Sequence, residues 1–573
     1  MNSWANKSVL VLGLGETGLS MVRWLARMGA NLRVADSRVV PPGLDEVAQF
    51  VRTEQVFCGP YSDALFAGID LIAISPGIPL ADTHVARAIA SGIPVVGDLE
   101  LFAQQLNPHS FTQQLGVPPL SYAEKTLAVS ILNPRVIAIT GSNGKTTVTS
   151  LVEHLCKAAG RDAVAAGNIS PAVLDVVLER GKQQPEIWVL ELSSFQLETT
   201  FSLKADVATV LNVSEDHLDR YAGMDEYAAA KQRIFKDCGV QVLNRDDERV
   251  MGMLRDNHIT FGLSLPERAA DFGIERNSGD IWLVQGSRRL IKASELQLTG
   301  LHNLANVQAA LALCRAIDLP MPPLLKALKD FKGLPHRVEL VEKLHGVSFY
   351  DDSKGTNVGA SVAALEGLGC KSVLIAGGVG KEQDFSPLKS AVIQHARAVV
   401  LIGRDAAKIA AALQDCEVPV VHAKDMNEAV GQAAMLALPG DAVLLSPACA
   451  SFDMYRNYAH RAEIFIAEVR KLTNGHATDN EHCHAHLPDE TTSHSTKQTQ
   501  NGCQVAGYHP NPLMKLLADP LSQQAGKCLV IPEGDETPSL QSSPGGRGGE
   551  REEQLPIPES LRELQMTRES WPR

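Results

Sequence analysis

Val136-Ile-Ala-Ile139 runs directly into Thr140-Gly141-Ser142-Asn143-Gly144-Lys145-Thr146-Thr147, and an amphipathic helical pattern follows. A short, wholly apolar run predicts a strand buried on both faces, and such strands belong to parallel sheets crossed over by helices. Glycines in the following loop let backbone N–H groups close around a phosphate at the helix start. Lys145 supplies a cation there and Thr146 a hydroxyl for Mg2+. The strict GxxxxGK[ST] pattern needs glycine at 139, where this chain has Ile, so the loop is a shorter variant. Few folds other than a nucleotide-binding α/β layer accommodate this junction.

The same alternation recurs on both sides of it. Ser8 to Leu12 reads as a strand, Thr17 to Met28 as its helix, and Asn31 to Ala35 and Leu71 to Ile74 as further strands of one sheet. Ile187 to Leu190 and Val207 to Leu211 continue the central series. Ser348 to Tyr350, Ser372 to Ala376, Ala398 to Ile402 and Ala442 to Leu445 make a third. The 573 residues exceed what one core supports, so the expectation is three α/β domains over 1–107, 135–333 and 334–474. Residues 108–134, with Pro118-Pro119, fit no pattern and read as an insertion or linker. From Gly475 to Arg573 the chain holds 10 of its 31 prolines and 6 of its 17 histidines, with 8 basic against 14 acidic residues. That composition buries too little apolar surface to offset chain ordering, so 475–573 reads as a disordered tail. Within it, His482-Cys483-His484-Ala485-His486 is a metal-competent run.

Composition narrows the function classes. A net charge of −13 disfavours general nucleic-acid binding, leaving room for a local anion pocket. Ten cysteines scattered from Cys58 to Cys528 without CxxC pairs suggest neither a disulfide framework nor a zinc knuckle. No apolar run reaches membrane-spanning length and Met1 to Asn6 lacks a signal-peptide pattern, so a cytoplasmic location without a membrane partner is expected.

Other motifs sit at strand ends. Gly13-Leu-Gly15-Glu-Thr17-Gly18 follows the first strand, and Asp36 follows the second, where a ribose-binding acid belongs; both suit NAD or any nucleotide. The strand in Val189-Leu-Glu191 ends on a carboxylate placed to reach Mg2+ beside the phosphate loop. Asn212-Val-Ser-Glu215-Asp216-His217-Leu-Asp219-Arg220 is dense in metal-competent groups, and His217 is its candidate ligand. Lys231, on a helix, reads by itself as a solvated lysine. Asn303, in His302-Asn303-Leu-Ala-Asn306, and Arg337, after Leu334-Pro-His336, are candidate nucleotide contacts or merely cap and turn residues. Asp352 and Lys354, in Asp351-Asp352-Ser353-Lys354-Gly-Thr356-Asn357, pair a ribose-type acid with a phosphate-type cation.

Taken together, Thr140–Thr147, Glu191–Gln196, Glu215–His217, His302–Asn306, Leu334–Arg337 and Asp352–Asn357 resemble the Mur ligases of peptidoglycan synthesis. Gly13–Gly18, Ser75-Pro-Gly77, Glu191 to Glu198 and Ser446-Pro-Ala-Cys-Ala-Ser451-Phe-Asp extend the resemblance from residue 7 to about 472. It implies three domains: an N-terminal Rossmann-like UDP-binding domain, a central P-loop ATPase-like domain and a C-terminal Rossmann-like domain. One departure is Val379 in Gly377-Gly-Val379-Gly-Lys381, where many relatives carry an acid or polar residue.

The resemblance also implies an ATP-dependent amide-bond-forming ligase, active in the cytoplasm as a monomer and serving cell-wall biogenesis and division. Its implied substrates are ATP, UDP-N-acetylmuramoyl-L-alanine and D-glutamate. Lys145, with Gly141, Ser142, Asn143, Gly144, Thr146, Thr147, Asn303, Arg337 and Asp352, would hold ATP. Thr146 and Glu191 would bind one Mg2+, and His217 a second together with Lys231, carbamylated into a bridging carboxylate. Thr17, Asp36, Ser37, Arg38, Ser75, Gly77 and Asn168 would take the UDP-substrate instead of NAD. Lys354, Thr356, Lys381, Ser451, Phe452 and Tyr458 would form the D-glutamate pocket, lysines matching its carboxylates. A folylpolyglutamate-type ligase shares the central layout but lacks the N-terminal UDP domain. A non-catalytic NAD-binding regulator accounts for the Gly13 loop and leaves Lys145, Glu191, His217 and Lys354 unexplained.

Overall fold

The strands of the central sheet that border the phosphate loop have largely apolar, buried interiors, as strands covered by helices on both faces do. Arg135–Thr140 pairs in parallel with Ile187–Glu191 on one side and Val207–Val210 on the other. The full order is His258–Phe261, Val240–Asn244, Val207–Val210, Arg135–Thr140, Ile187–Glu191 and Ala163–Gly167, all parallel. Helix Lys145–Ala158 packs its buried Val148, Leu151, Val152 and Leu155 beneath this sheet and against Leu301–Ala316, whose residues from Ala309 to Cys314 are all buried.

The computed structural model describes residues 4, 5, 7–106, 134–298 and 300–481, the last nine as backbone. The 108–134 insertion (save its last residue), the tail from 482 and its His482–His486 run lie outside the described residues. The final helix spans Tyr458–Glu481, past residue 474, where the tail was expected to begin.

A five-stranded parallel sheet precedes the central one, in the order Val56–Cys58, Asn31–Asp36, Ser8–Leu12, Leu71–Ile74, Val95–Val96. A six-stranded sheet follows it, running Glu339–Leu344, Val347–Asp351, Ala442–Leu445, Ser372–Gly377, Ala396–Ile402, Val420–His422, with only the first strand antiparallel. Three α/β layers thus match the architecture expected from the alternating pattern. Sequence reading missed an antiparallel sheet of Phe272–Asn277, Asp280–Gln285 and Arg288–Lys292. Its first turn is Ser278-Gly279, both at positive φ, a two-residue hairpin signal that went unread.

In all three layers a group of candidate residues sits at the carboxyl ends of parallel strands. Open α/β sheets place ligands there, because helix N-termini and strand-end loops converge on that edge. Gly13, Asp36 and Ser75 occupy this edge of the first sheet, Gly141, Glu191 and Asn212 that of the second, and Asp352 and Ser446 that of the third.

Candidate active site

Asn212 clamps the phosphate loop: its Oδ1 accepts from the Asn143 N–H at 2.8 Å and its Nδ2 donates to Asn143 O at 3.2 Å. Ser142 Oγ adds a bond to Ser214 O at 2.9 Å. Gly144 lies at φ +81°, and a Cβ there would stand 2.6 Å from Asn306 Oδ1, so only glycine fits beneath that asparagine. The loop is therefore fixed before any phosphate arrives.

Lys145 Nζ folds back onto the loop, donating to Gly141 O at 2.8 Å and Ser142 O at 2.9 Å. Lys231, only 1% exposed, donates to the same Gly141 carbonyl at 3.0 Å and lies 4.3 Å over the Tyr227 ring. Burial, and then Lys145 beside it, drives the Lys231 pKa well below its ordinary value. Burial also lowers that of Lys145. Lys231 is accordingly not the surface residue that a lone helical lysine suggests.

Glu191 is buried at the end of its strand. Its Oε1 accepts from Asn168 Nδ2 at 2.9 Å, and its Oε2 has no hydrogen-bond partner among the described residues. Such an orphaned carboxylate oxygen is costly unless something cationic meets it. His217, at φ +58°, is held neutral because burial pulls its pKa down to about 4. Neutral imidazole is the metal-binding form. The donor set of Glu191, His217 and the buried amine of Lys231 thus suits Mg2+ and a carbamate, whereas Thr146 Oγ1 already accepts from Arg337 Nη2 at 2.9 Å.

These groups, Lys231 apart, face a cavity of about 620 Å3 lined by Ser142, Asn143, Gly144, Lys145, Thr146, Asn168, Glu191, His217, Arg337, Lys354, Thr356, Lys381 and Tyr458. Asp216, Asn357 and His336 line it too, residues quoted within motifs but given no role from sequence. Asp216 is held ionised: burial pushes its pKa up, but Lys381 at 3.1 Å, His217 and Lys145 outweigh it. Lys354 lies 3.7 Å over the Tyr458 ring, its pKa lowered to about 8 by burial and then by Arg337. Cations outnumber acids, so the cavity suits a polyanion.

A second cavity of about 350 Å3 shares Asn143, Gly144, Arg337 and Lys354 with the first and brings in Thr147, Asn303 and Asp352. Burial raises the Asp352 carboxyl to about 7, although Ser446 Oγ donates to it at 2.6 Å. Asn244 and Phe261 complete this wall from the ends of two central strands. No motif marks them; only the rule that ligands gather at strand ends would have found them.

The third cavity, about 510 Å3, gathers Thr17, Asp36, Ser37, Arg38, Ser75 and Gly77 with Phe195 and Tyr61. Asp36 is saturated: its Oδ2 accepts from the Leu14 N–H at 2.7 Å and Arg38 grips both oxygens, holding its pKa down near 2 against the cost of burial. It shapes the Gly13 loop and orients Arg38. Asn168 lines this cavity and the central one, so the two meet at its amide. Four candidates fall outside all three linings: Gly141, whose carbonyl accepts from both lysines, Lys231, buried against that carbonyl, Ser451, buried elsewhere, and Phe452, 74% exposed. Val379 acts through its backbone, exchanging hydrogen bonds with Ala450, which explains how a valine serves in that turn.

Residues 7–97 match the Mur ligase MurD-like N-terminal domain, 139–314 the Mur ligase middle domain and 336–449 the Mur ligase glutamate ligase domain. The UDP-N-acetylmuramoylalanine–D-glutamate ligase of Nitrosomonas europaea is 52% identical over 491 residues, covering 84% of this chain and 100% of that protein. The chain belongs to the Mur ligase family. A ligase of the same name from Nitrosospira multiformis is 55% identical over 481 residues, covering 83% of this chain and 97% of its own. The crystal structure of the UDP-N-acetylmuramate–alanine ligase of Thermotoga maritima shares the fold, at a TM-score of 0.50 and 18% identity over 81% of this chain and 99% of that one. Membership accounts for the three-layer order, and the cavity linings come from this chain's own side chains.

Proposed function

We propose that this Mur ligase joins D-glutamate to UDP-N-acetylmuramoyl-L-alanine at the expense of ATP, making a peptidoglycan precursor through an acyl phosphate. The observation that carries the reading is near-complete coverage of D-glutamate ligases at more than half identity, by a chain whose three cavities adjoin through Asn168 on one side and Arg337 and Lys354 on the other.

Amide formation from a carboxylate is uphill in water, so the acid needs a leaving group. The alanyl carboxylate attacks the γ-phosphorus of ATP, ADP departs, and the acyl phosphate then loses phosphate to the deprotonated amine of D-glutamate. Two anions meet in the first step, and Lys145, Arg337 and Lys354 are the cations placed to permit it. Asn168 carries the substrate from the UDP cavity into the central one, its amide held by Glu191 Oε1. Glu191, His217 and carbamylated Lys231 would hold Mg2+, with Thr146 at the phosphates; bound Mg2+ neutralises charge on the transferred phosphoryl group. Lys354, Lys381 and Thr356 receive the D-glutamate carboxylates. Among the described residues no helix is long and apolar enough to cross a membrane, and nucleotide-linked substrates suit a cytoplasmic enzyme. One chain lines all three cavities, which supports a monomer.

Phosphate release from ATP should require both UDP-N-acetylmuramoyl-L-alanine and D-glutamate. Release with dihydrofolate and L-glutamate instead would overturn the reading. Lys354 gives a pH signature. It is charged below about 8 and loses its proton as pH rises through that value, so D-glutamate affinity should fall above pH 8, by up to about tenfold per unit. Equilibrium binding across pH 6.5 to 9.5 checks this, and K354R should bind more weakly but without the dependence.

A further inference from the structure

Arg220 ends the Asn212–Arg220 segment and has no part in the chemistry above, yet its side chain is only 12% exposed. Its Nη1 donates to Pro76 O at 2.8 Å, and its Nη2 to Glu198 Oε2 at 2.9 Å with a longer approach of 3.5 Å to Ile78 O. The guanidinium carbon lies over the Phe195 ring, 4.0 Å from its centre. Glu198 also accepts from the Tyr221 hydroxyl at 2.6 Å, so one carboxylate anchors two neighbours.

Those partners belong to different parts of the machinery. Pro76, Ile78 and Phe195 line the N-terminal cavity. Phe195 in turn meets the His217 ring edge-on at 4.7 Å, and the Arg220 backbone N–H donates to His217 O at 2.9 Å. Arg220 therefore touches a loop of the first sheet and an aromatic wall of the same cavity through its side chain, and through its backbone N–H the turn that holds the metal-competent histidine in a left-handed conformation. Only a planar guanidinium stacks on a ring while donating in its own plane to separate acceptors.

We propose that Arg220 is a positioning residue that keeps the Pro76–Ile78 loop in register with the His217 turn, so that a substrate seated in the N-terminal cavity presents its reacting carboxylate to the central one. The inference rests on the functional reading above, which assigns the UDP-substrate to that cavity. The carboxylate must span from one sheet edge to another, and a displacement of about 1 Å at such a junction costs on the order of a hundredfold in rate. ATP and D-glutamate contact other walls, so their binding does not depend on this register.

The test is steady-state kinetics of R220K and R220A with each substrate varied in turn. R220K retains a charge for Glu198, keeping the fold intact if alanine does not, but it loses the guanidinium's contact with the Phe195 ring and the second donor direction. Both variants are expected to raise KM for UDP-N-acetylmuramoyl-L-alanine about tenfold and lower kcat about tenfold, with KM for ATP and D-glutamate within about twofold of the parent. Guanidinium chloride in the millimolar range should recover part of the R220A rate and leave R220K unchanged. Constants within twofold throughout, or equal losses for all three substrates with no guanidinium response, reduce Arg220 to a structural contact and overturn the inference. A parent chain whose ATP turnover ignores the UDP-substrate overturns the functional reading itself, and the inference falls with it.

Discussion

Lys145→Ala is expected to lose at least about a hundredfold to a thousandfold of ligase turnover while its melting temperature stays within a few degrees of the parent's. The two effects separate because of what surrounds the ammonium. Lys145 Nζ bonds only to the carbonyls of Gly141 and Ser142, and Lys231 already donates to the first of these. In the free protein the group is buried beside Lys231, Arg337 and Lys354, so removing it relieves repulsion as well as losing attraction to Glu191 and Asp216. The fold has little to lose. On the proposed reading, phosphates that enter the loop meet this cation in a site where preorganised charge acts at low dielectric. Phosphate-release kinetics and thermal melting on the same preparation check both halves. Turnover within tenfold of the parent would show that Arg337 and Lys354 suffice and that Lys145 is a loop brace.

Much of the architecture was legible because buried parallel strands announce themselves as short apolar runs. Ser8–Leu12, Leu71–Ile74 and Ala442–Leu445 have the bounds that the pattern predicts. What escaped was half-buried or two-sided. Arg288–Lys292 is mostly polar, and its partner Asp280–Gln285 carries charge and tryptophan together, so neither stands out without its hairpin turns being read. At the site, glycines and strand-terminal acids were visible because backbone geometry and metal chemistry constrain them tightly. Lys231 was not: its helix has no clear apolar face, and burial is decided by Tyr227 and the Gly141 carbonyl, which come from other points in the chain. Asp36 shows the converse. Its position suited a ribose contact, whereas the Leu14 N–H and Arg38 already consume its oxygens. Sequence gives the residue type and its strand end; only packing gives the partner.

Lys231→Ala and Lys231→Arg are both expected to be nearly inactive, for opposite reasons that one experiment distinguishes. A lysine whose pKa is driven well below its ordinary value holds more of its amine unprotonated than a solvated lysine does, and that amine can add to carbon dioxide, releasing a proton and leaving a carbamate. On the proposed reading cation thus becomes anion, adding to the Glu191 carboxylate and the neutral His217 the charge that a divalent metal would need. Alanine removes the carboxylate but leaves a space of similar shape, so acetate or propionate in the tens of millimolar should restore roughly tenfold of an activity lowered by about a hundredfold or more. Arginine keeps a permanent positive charge in the same pocket, and no added carboxylate can displace it. The parent enzyme should lose activity when carbon dioxide is stripped from the buffer and regain it on adding bicarbonate, with a carbamate carbon visible by NMR when the bicarbonate is labelled. The sign with pH follows from the chemistry: acidification protonates the amine, discharges the carbamate and lowers activity and metal affinity together. Full turnover by Lys231→Arg would mean that a cation at this position is enough, and the metal-bridging role would be lost.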